Sequence, residues 1–137
     1  MFQEAFNGGA TLCFSHWNVG EVLGTLQRRA RLSGRVQAYA GAKARLHGEL
    51  NALRRLGFLE TVGVTTVLLR DAWRLLEKHA IYVAGALQLA TASARACGMF
   101  LSADRQLLRA AVAEGLSAFD VLGEGPRIRR VLQGRGP

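Results

Sequence analysis

The stretch from Ile81 to Val121 constrains the fold more than any other part of the chain. It reads IYVAGALQLATASARACGMFLSADRQLLRAAVAEGLSAFDV, in which two longer segments with helical composition alternate with two short apolar runs. This order predicts helix, strand, helix and strand over residues 81–96, 99–102, 104–114 and 117–121. Because ligands and metals gather at the carboxyl ends of strands in open α/β sheets, Asp104 is the first candidate functional residue.

The first half of the chain shows the same alternation. The apolar run at residues 10–15 predicts a strand, and a helix is expected from Asn18 to about Leu32. Its apolar face is expected to contain Val19, Val22, Leu23 and Leu26. Further elements are a helix at 35–55, a strand at 58–64 and a helix at 65–79. The class is therefore α/β, with a mostly parallel sheet flanked by helices. We expect one domain over residues 1–123 and a basic C-terminal tail over 124–137.

The charge of the chain favours a polyanionic partner. Lys and Arg number 18 against 10 Asp and Glu, a formal net charge of +8 in 137 residues. Nucleic acid and an acidic protein segment both fit this excess. Between Arg28 and Arg55 the only acid is Glu49, and this basic run is either a solvated helix face or a phosphate-binding face. The residues selected as RNA contacts are Arg28, Arg29, Arg31 and Arg35.

Several patterns that would place the chain elsewhere in the cell are not found in the sequence. Cys13 and Cys97 both lie among apolar residues, which is typical of buried free thiols in a reducing compartment. The first residues do not show the basic-then-apolar order of a signal peptide. No apolar run approaches the ~20 residues of a membrane span. We expect a cytoplasmic protein without a membrane partner.

Two segments resemble the PIN domain family. CFSHWNVGEVLGTLQRR is similar to a strand-then-helix unit that carries a Glu in an (S/T)-x-x-x-x-x-E-V setting. YVAGALQLATA and the following MFLSADRQLLRAAVAEGLSAFDV resemble the second half of the same domain, with its A-D-A-L-x-L-A-x-A helix, strand and (S/T)-x-D-x-x-L motif. The resemblance extends over roughly residues 3–122.

This resemblance implies a three-layer PIN-like fold and a metal-dependent activity. Many PIN domains are ribonucleases, including the toxins of toxin–antitoxin pairs, whose three or four carboxylates hold Mg²⁺ or Mn²⁺. Such ions prefer oxygen ligands and activate water for attack on a phosphodiester. Residue by residue, Glu21 matches the helix acid, Asp104 the strand-end acid and Ser102 the accompanying hydroxyl. Glu21 and Asp104 are therefore the expected metal ligands, and all three are expected catalytic residues.

The chain also departs from the family pattern. The family's first strand, which bears an Asp, has no counterpart, and Gly85 stands where the helix motif has Asp. Two of the usual acids remain, with Asp120, Glu124 and Glu114 available as stand-ins. Two carboxylates hold hydrated Mg²⁺ weakly, so cleavage is expected to be weak or lost. The missing strand would leave unpaired edges, which predicts a homo-oligomer.

Two functions follow from these observations. The first is a toxin-like Mg²⁺-dependent endoribonuclease. The alternative is a non-catalytic PIN-like module that binds RNA or an antitoxin through its basic surface.

Overall fold

A computed structural model describes Ala5, Asn7 and residues 9–134. The described residues form four strands and six helices. In chain order these are β1 Leu12–Ser15, α1 His16–Leu32, α2 Val36–Arg55, β2 Leu59–Val62, α3 Thr66–His79, α4 Val83–Ala94, β3 Phe100–Ser102, α5 Arg105–Ala113, β4 Ala118–Asp120 and α6 Gly125–Leu132. They belong to two compact units, with the boundary between Gly63 and Val64.

Unit 1 contains one pair of parallel strands and two long helices. β1 pairs with β2 from Leu12 opposite Leu59 to Ser15 opposite Val62. The strands and α2 contribute to one apolar core, since Leu12, Leu59, Leu50 and Leu53 are all buried together with Ala5. This core holds the start of α1 at the carboxyl end of β1.

The junction between β1 and α1 is fixed by a capping box. The Oγ of Ser15 accepts a hydrogen bond from the backbone N–H of Asn18 at 3.3 Å, and the Ser15 N–H donates to Asn18 Oδ1 at 2.9 Å. These bonds satisfy backbone donors that the first helical turn leaves open. The helix consequently begins at His16, two residues before the predicted start at Asn18.

Unit 2 contains the second pair of parallel strands. β3 pairs with β4, with Phe100 opposite Ala118 and Ser102 opposite Asp120. α4 packs against α3 and α5, and it is almost wholly apolar because most of its residues are buried. Each strand of this unit places one Phe in the core, Phe100 in β3 and Phe119 in β4, and a helix follows each strand.

The α/β class and the parallel strand pairing are confirmed. Within the described part of the chain the strands form two separate two-stranded sheets. Val22, expected on the apolar face of α1, is instead 44% exposed. None of the helices in the described ranges is long and apolar enough to cross a membrane.

The stretch after residue 123 contains a helix that the sequence analysis did not predict. α6 begins after Glu124, has Pro126 in its first turn and buries Ile128. Its arginines at 127, 129 and 130 are exposed. The buried side chain of Ile128 thus holds α6 to the rest of unit 2.

Candidate functional site

The carboxyl ends of β3 and β4 lie at the same edge of the unit 2 sheet. Ser102 and Asp120 are the last residues of these strands and are register partners. The backbone N–H of Val121 donates to the Ser102 carbonyl at 3.0 Å, which continues the pairing one residue further. Because the strands are parallel, residues that follow both of them come together at this edge.

Asp104 occupies the start of α5 beside that edge. Its Oδ1 accepts hydrogen bonds from the backbone N–H groups of Gln106 at 2.8 Å and Leu107 at 3.2 Å. The backbone N–H of Asp104 donates to Ser102 Oγ at 3.0 Å. Asp104 is therefore the N-cap of α5. Both bonds use Oδ1, so the cap leaves the second carboxylate oxygen of this exposed side chain available.

Asp120 and Glu124 form a second acidic pair at the same edge. The backbone N–H of Asp120 donates to Glu124 Oε2 at 2.8 Å, and the Leu122 N–H donates to Asp120 Oδ1 at 2.8 Å. The hydrogen bond from Asp120, followed by that from Arg127, lowers the pKa of Glu124 below its ordinary value. Glu124 is thus held ionised, with both of its oxygens engaged.

Arg127 completes this group from the first turns of α6. Its NH1 lies 2.8 Å from Glu124 Oε1, and its guanidinium carbon lies 5.0 Å from the centroid of the Phe119 ring. A cation at this distance from an aromatic face is attracted by the ring quadrupole. We call Ser102, Asp104, Asp120, Glu124 and Arg127 the strand-end cluster.

Glu114, the third suggested stand-in, lies elsewhere. It follows α5 at the opposite end from Asp104, about 15 Å away along the helix axis at 1.5 Å per residue. Its Oε1 is 2.8 Å from Lys78 Nζ and 2.6 Å from His79 Nε2. The hydrogen bond from Lys78, and then that from His79, lowers the pKa of Glu114. This carboxylate joins the ends of α3 and α5 and is not part of the strand-end cluster.

Gly85, which stands where the PIN motif has Asp, faces α5. A Cβ atom at this position would lie 3.2 Å and 3.3 Å from the two Cδ methyls of Leu107. Leu107 is buried and its N–H is one of the two donors to Asp104. A carboxylate at position 85 would therefore press on apolar atoms next to the Asp104 cap.

The remaining predicted site residues belong to unit 1. Glu21 is half-buried in α1. It belongs to unit 1, whereas Asp104 belongs to unit 2. Their convergence on one metal ion stays a prediction.

The predicted RNA contacts are exposed at the end of α1 and the start of α2. Arg29 and Arg35 line an open groove of about 530 Å³ between these helices. Its other lining residues are mainly apolar, namely Leu26, Ala30, Leu32, Ser33, Ala38, Tyr39 and Ala42. The surface predicted to bind phosphates is thus an apolar groove with a basic rim.

No match to this chain was found among protein-family models, curated proteins or solved structures. What the site can do therefore rests on its own residues.

The donor atoms of the strand-end cluster suit a hard divalent cation. Carboxylate and hydroxyl oxygens of Asp104, Asp120 and Ser102 are the ligand types that Mg²⁺ and Mn²⁺ accept. In the portion that the structure describes, no group of three or more His, Cys, Asp or Glu side chains is arranged to hold a metal ion. An ion held here would therefore have to keep several of its waters and take at most two of these carboxylates.

Arg127 and its link to the cluster were missed by sequence reasoning, which assigned it to a tail. Two signals could have found it. Pro is frequent in the first turn of helices, and Pro126 is followed by Ile128, Val131 and Leu132 at helical spacing.

Proposed function

We propose that this chain is a PIN-like, Mg²⁺- or Mn²⁺-dependent endoribonuclease of the toxin type, with cleavage weaker than that of a site with all four acids. The observation that supports it best is the strand-end cluster, in which Asp104 is hydrogen-bonded to Ser102, and Ser102 is the register partner of Asp120 at the end of a parallel strand pair. In the PIN-like three-layer fold that we propose, this edge holds the metal.

Each residue has a role in this mechanism. Ser102 fixes the main chain of Asp104, and the cap fixes its carboxylate while leaving one oxygen for the metal. Asp104 and Glu21 are the proposed ligands, with Asp120 available beyond them. A bound Mg²⁺ would lower the pKa of water and neutralise charge on the phosphate. Arg28, Arg29, Arg31 and Arg35 would hold the RNA backbone, and the proposed location is the cytoplasm.

Asp104 can be tested without confusing its two roles. Asn caps helices as well as Asp does, whereas Ala at an N-cap costs about 1 kcal/mol. We expect Asp104→Asn to keep the free energy of unfolding within a few tenths of a kcal/mol and to abolish Mg²⁺- or Mn²⁺-dependent cleavage of single-stranded RNA. Asp104→Ala should abolish cleavage and also lower the free energy of unfolding by about 1 kcal/mol. Cleavage and denaturant unfolding measured on the same preparations separate the two effects.

Equal cleavage by the wild type and Asp104→Asn would assign the activity to a contaminating nuclease. In that case the proposed mechanism is wrong.

The α1–α2 groove favours a second candidate function, a non-catalytic module that binds an acidic protein segment such as an antitoxin. RNA backbones need cations but not an apolar floor, whereas an amphipathic acidic helix would use both the floor and the Arg29 and Arg35 rim. Leu32, 83% exposed at this groove, is the natural anchor point.

This alternative predicts binding without cleavage. Leu32→Gln, which removes the apolar anchor without adding a charge, should weaken binding of an acidic amphipathic peptide and leave RNA affinity nearly unchanged, as measured by fluorescence anisotropy. RNA binding that falls steeply with salt, with no cleavage in Mg²⁺ or Mn²⁺, would instead indicate an RNA-binding module.

A further inference from the structure

Arg127 is the one basic residue of the strand-end cluster, and its position is fixed from two sides. Glu124 holds NH1 at 2.8 Å, and the ring of Phe119 lies under the guanidinium at 5.0 Å. An arginine held by a carboxylate and an aromatic face loses less conformational freedom when it binds a ligand than a free surface arginine does.

The guanidinium still has donors to offer. It carries five N–H groups, and its hydrogen bond to Glu124 uses NH1. The side chain of Arg127 is 50% exposed. An anion at the edge of the sheet could therefore be bound without breaking the contact to Glu124.

The negative charge at this edge of the sheet has to be offset before a phosphate can bind there, and Arg127 supplies a positive charge. Asp104, Asp120 and Glu124 place three carboxylates at the ends of β3 and β4, and they repel an approaching phosphate. Glu124 is connected to both sides, because Oε2 accepts from the backbone of Asp120 while Oε1 pairs with Arg127. The cation thus sits directly beside the acids.

We propose that Arg127 contacts a phosphate of the RNA strand at the strand-end cluster, an inference that rests on the proposed function. α6 is then part of the RNA-binding surface of unit 2. The contact is bidentate in kind, since a planar guanidinium matches two phosphate oxygens and a lysine ammonium does not.

The chain offers a matched control on the same helix. Arg129 is also exposed, and two residues further along α6 it points about 200° away from Arg127. Its side chain makes no hydrogen bond or ion pair with the described residues, and its backbone carbonyl accepts a hydrogen bond from the N–H of Gln133. Three variants can therefore be compared. Arg127→Ala and Arg129→Ala each remove one charge, whereas Arg127→Lys keeps the charge and changes only the donor geometry.

The experiment measures binding of a short single-stranded RNA in metal-free buffer at several salt concentrations. Removing one phosphate contact should reduce the slope of log K against log salt by about 0.7. We expect this change and a several-fold loss of affinity in Arg127→Ala, an intermediate affinity with the wild-type slope in Arg127→Lys, and the wild-type slope in Arg129→Ala. In cleavage assays, Arg127→Ala should raise KM more than it lowers kcat.

A merely structural arginine would behave differently. Losing an anchor of α6 would lower the melting temperature of Arg127→Ala without altering the salt slope, and that result overturns the inference. If the wild type cleaves RNA but Arg127→Ala leaves the salt slope unchanged, the inference about Arg127 is wrong and the nuclease proposal stands. A reduced slope in Arg127→Ala with no cleavage by the wild type would overturn the nuclease proposal alone.

Discussion

Gly85 lies where α4 and α5 approach each other closely. Only hydrogen lies between its backbone and the methyls of Leu107, because a Cβ would come within 3.2 Å of them. Gly costs about 1 kcal/mol relative to Ala inside a helix. The position is therefore occupied at the expense of helix propensity, and packing against α5 accounts for it.

This contact gives a prediction with a built-in control. Gly85→Ala should destabilise the wild-type protein by about 1 kcal/mol, because crowding of a buried core outweighs the helix gain. In a Leu107→Val background, which lacks both Cδ methyls, the same change should stabilise by about 1 kcal/mol. Denaturant unfolding of the four proteins measures the coupling. If Gly85→Ala stabilises both backgrounds equally, Leu107 yields and the contact does not restrict position 85.

At the residue scale, the sequence identified Ser102 and Asp104 correctly as neighbours at a strand end, because both follow one short apolar run. It did not identify the Glu124–Arg127 pair, since that pair depends on a helix folding back over Phe119. A periodic pattern says which residues share a face of one element. It does not say which element covers that face.

At the scale of elements, the positions of nine helices and strands could be predicted because apolar period and turn residues agree in each. α4 is an example, because its many Ala and Leu residues predict a buried helix and most of its residues are buried. α6 was not predicted, because Gly125 and Pro126 at its start are more typical of a turn or loop than of a helix. Val22 was placed wrongly, since it is 44% exposed although α1 packs against β1 and α2.

The ion pairs between the ends of α3 and α5 predict an acid-sensitive link. Hydrogen bonds from Lys78 and His79 lower the pKa of Glu114 from its ordinary value of 4.5. The unfolded chain therefore binds this proton more readily than the folded one. The stabilisation is present above about pH 4.5 and is lost as the pH falls through the folded-state pKa.

Glu114→Gln should accordingly reduce stability by about 1 kcal/mol at neutral pH and have a progressively smaller effect in acid. Thermal unfolding across this pH range measures the difference. Glu77→Gln, at an exposed position on α3, is the control and should show no such trend. A constant difference between Glu114→Gln and the wild type at all pH values would contradict the assigned link.

At the scale of the whole molecule, the two proposed metal ligands come from the two compact units. Glu21 belongs to the first and Asp104 to the second, and helical or strand periodicity acts only within single elements. The sequence could therefore propose their convergence only through a family resemblance.

Mg²⁺ affinity provides the test of this pairing. If both carboxylates hold one ion, Glu21→Gln and Asp104→Asn should each weaken Mg²⁺ binding, and the double variant should lose little more than either single one. Isothermal titration with Mg²⁺ measures all four proteins. Additive losses, or no effect of Glu21→Gln, would mean that the two acids act separately.

The strand pairs bear on self-association. Each described sheet has only two strands, and sheets of this size are marginally stable unless they are covered or extended. Large apolar side chains are also exposed in both units, with Leu32 at 83% and Leu122 at 81%. Burying such side chains against another copy would stabilise the assembly by roughly 25 cal/mol per Å² of apolar surface. We therefore expect a homo-oligomer at micromolar concentrations in sedimentation experiments, with Leu32→Asp or Leu122→Asp shifting it towards monomer according to which unit forms the interface. A wild-type protein that stays monomeric throughout that range would show that the open strand edges and apolar side chains are tolerated in water, and the oligomer prediction would be wrong.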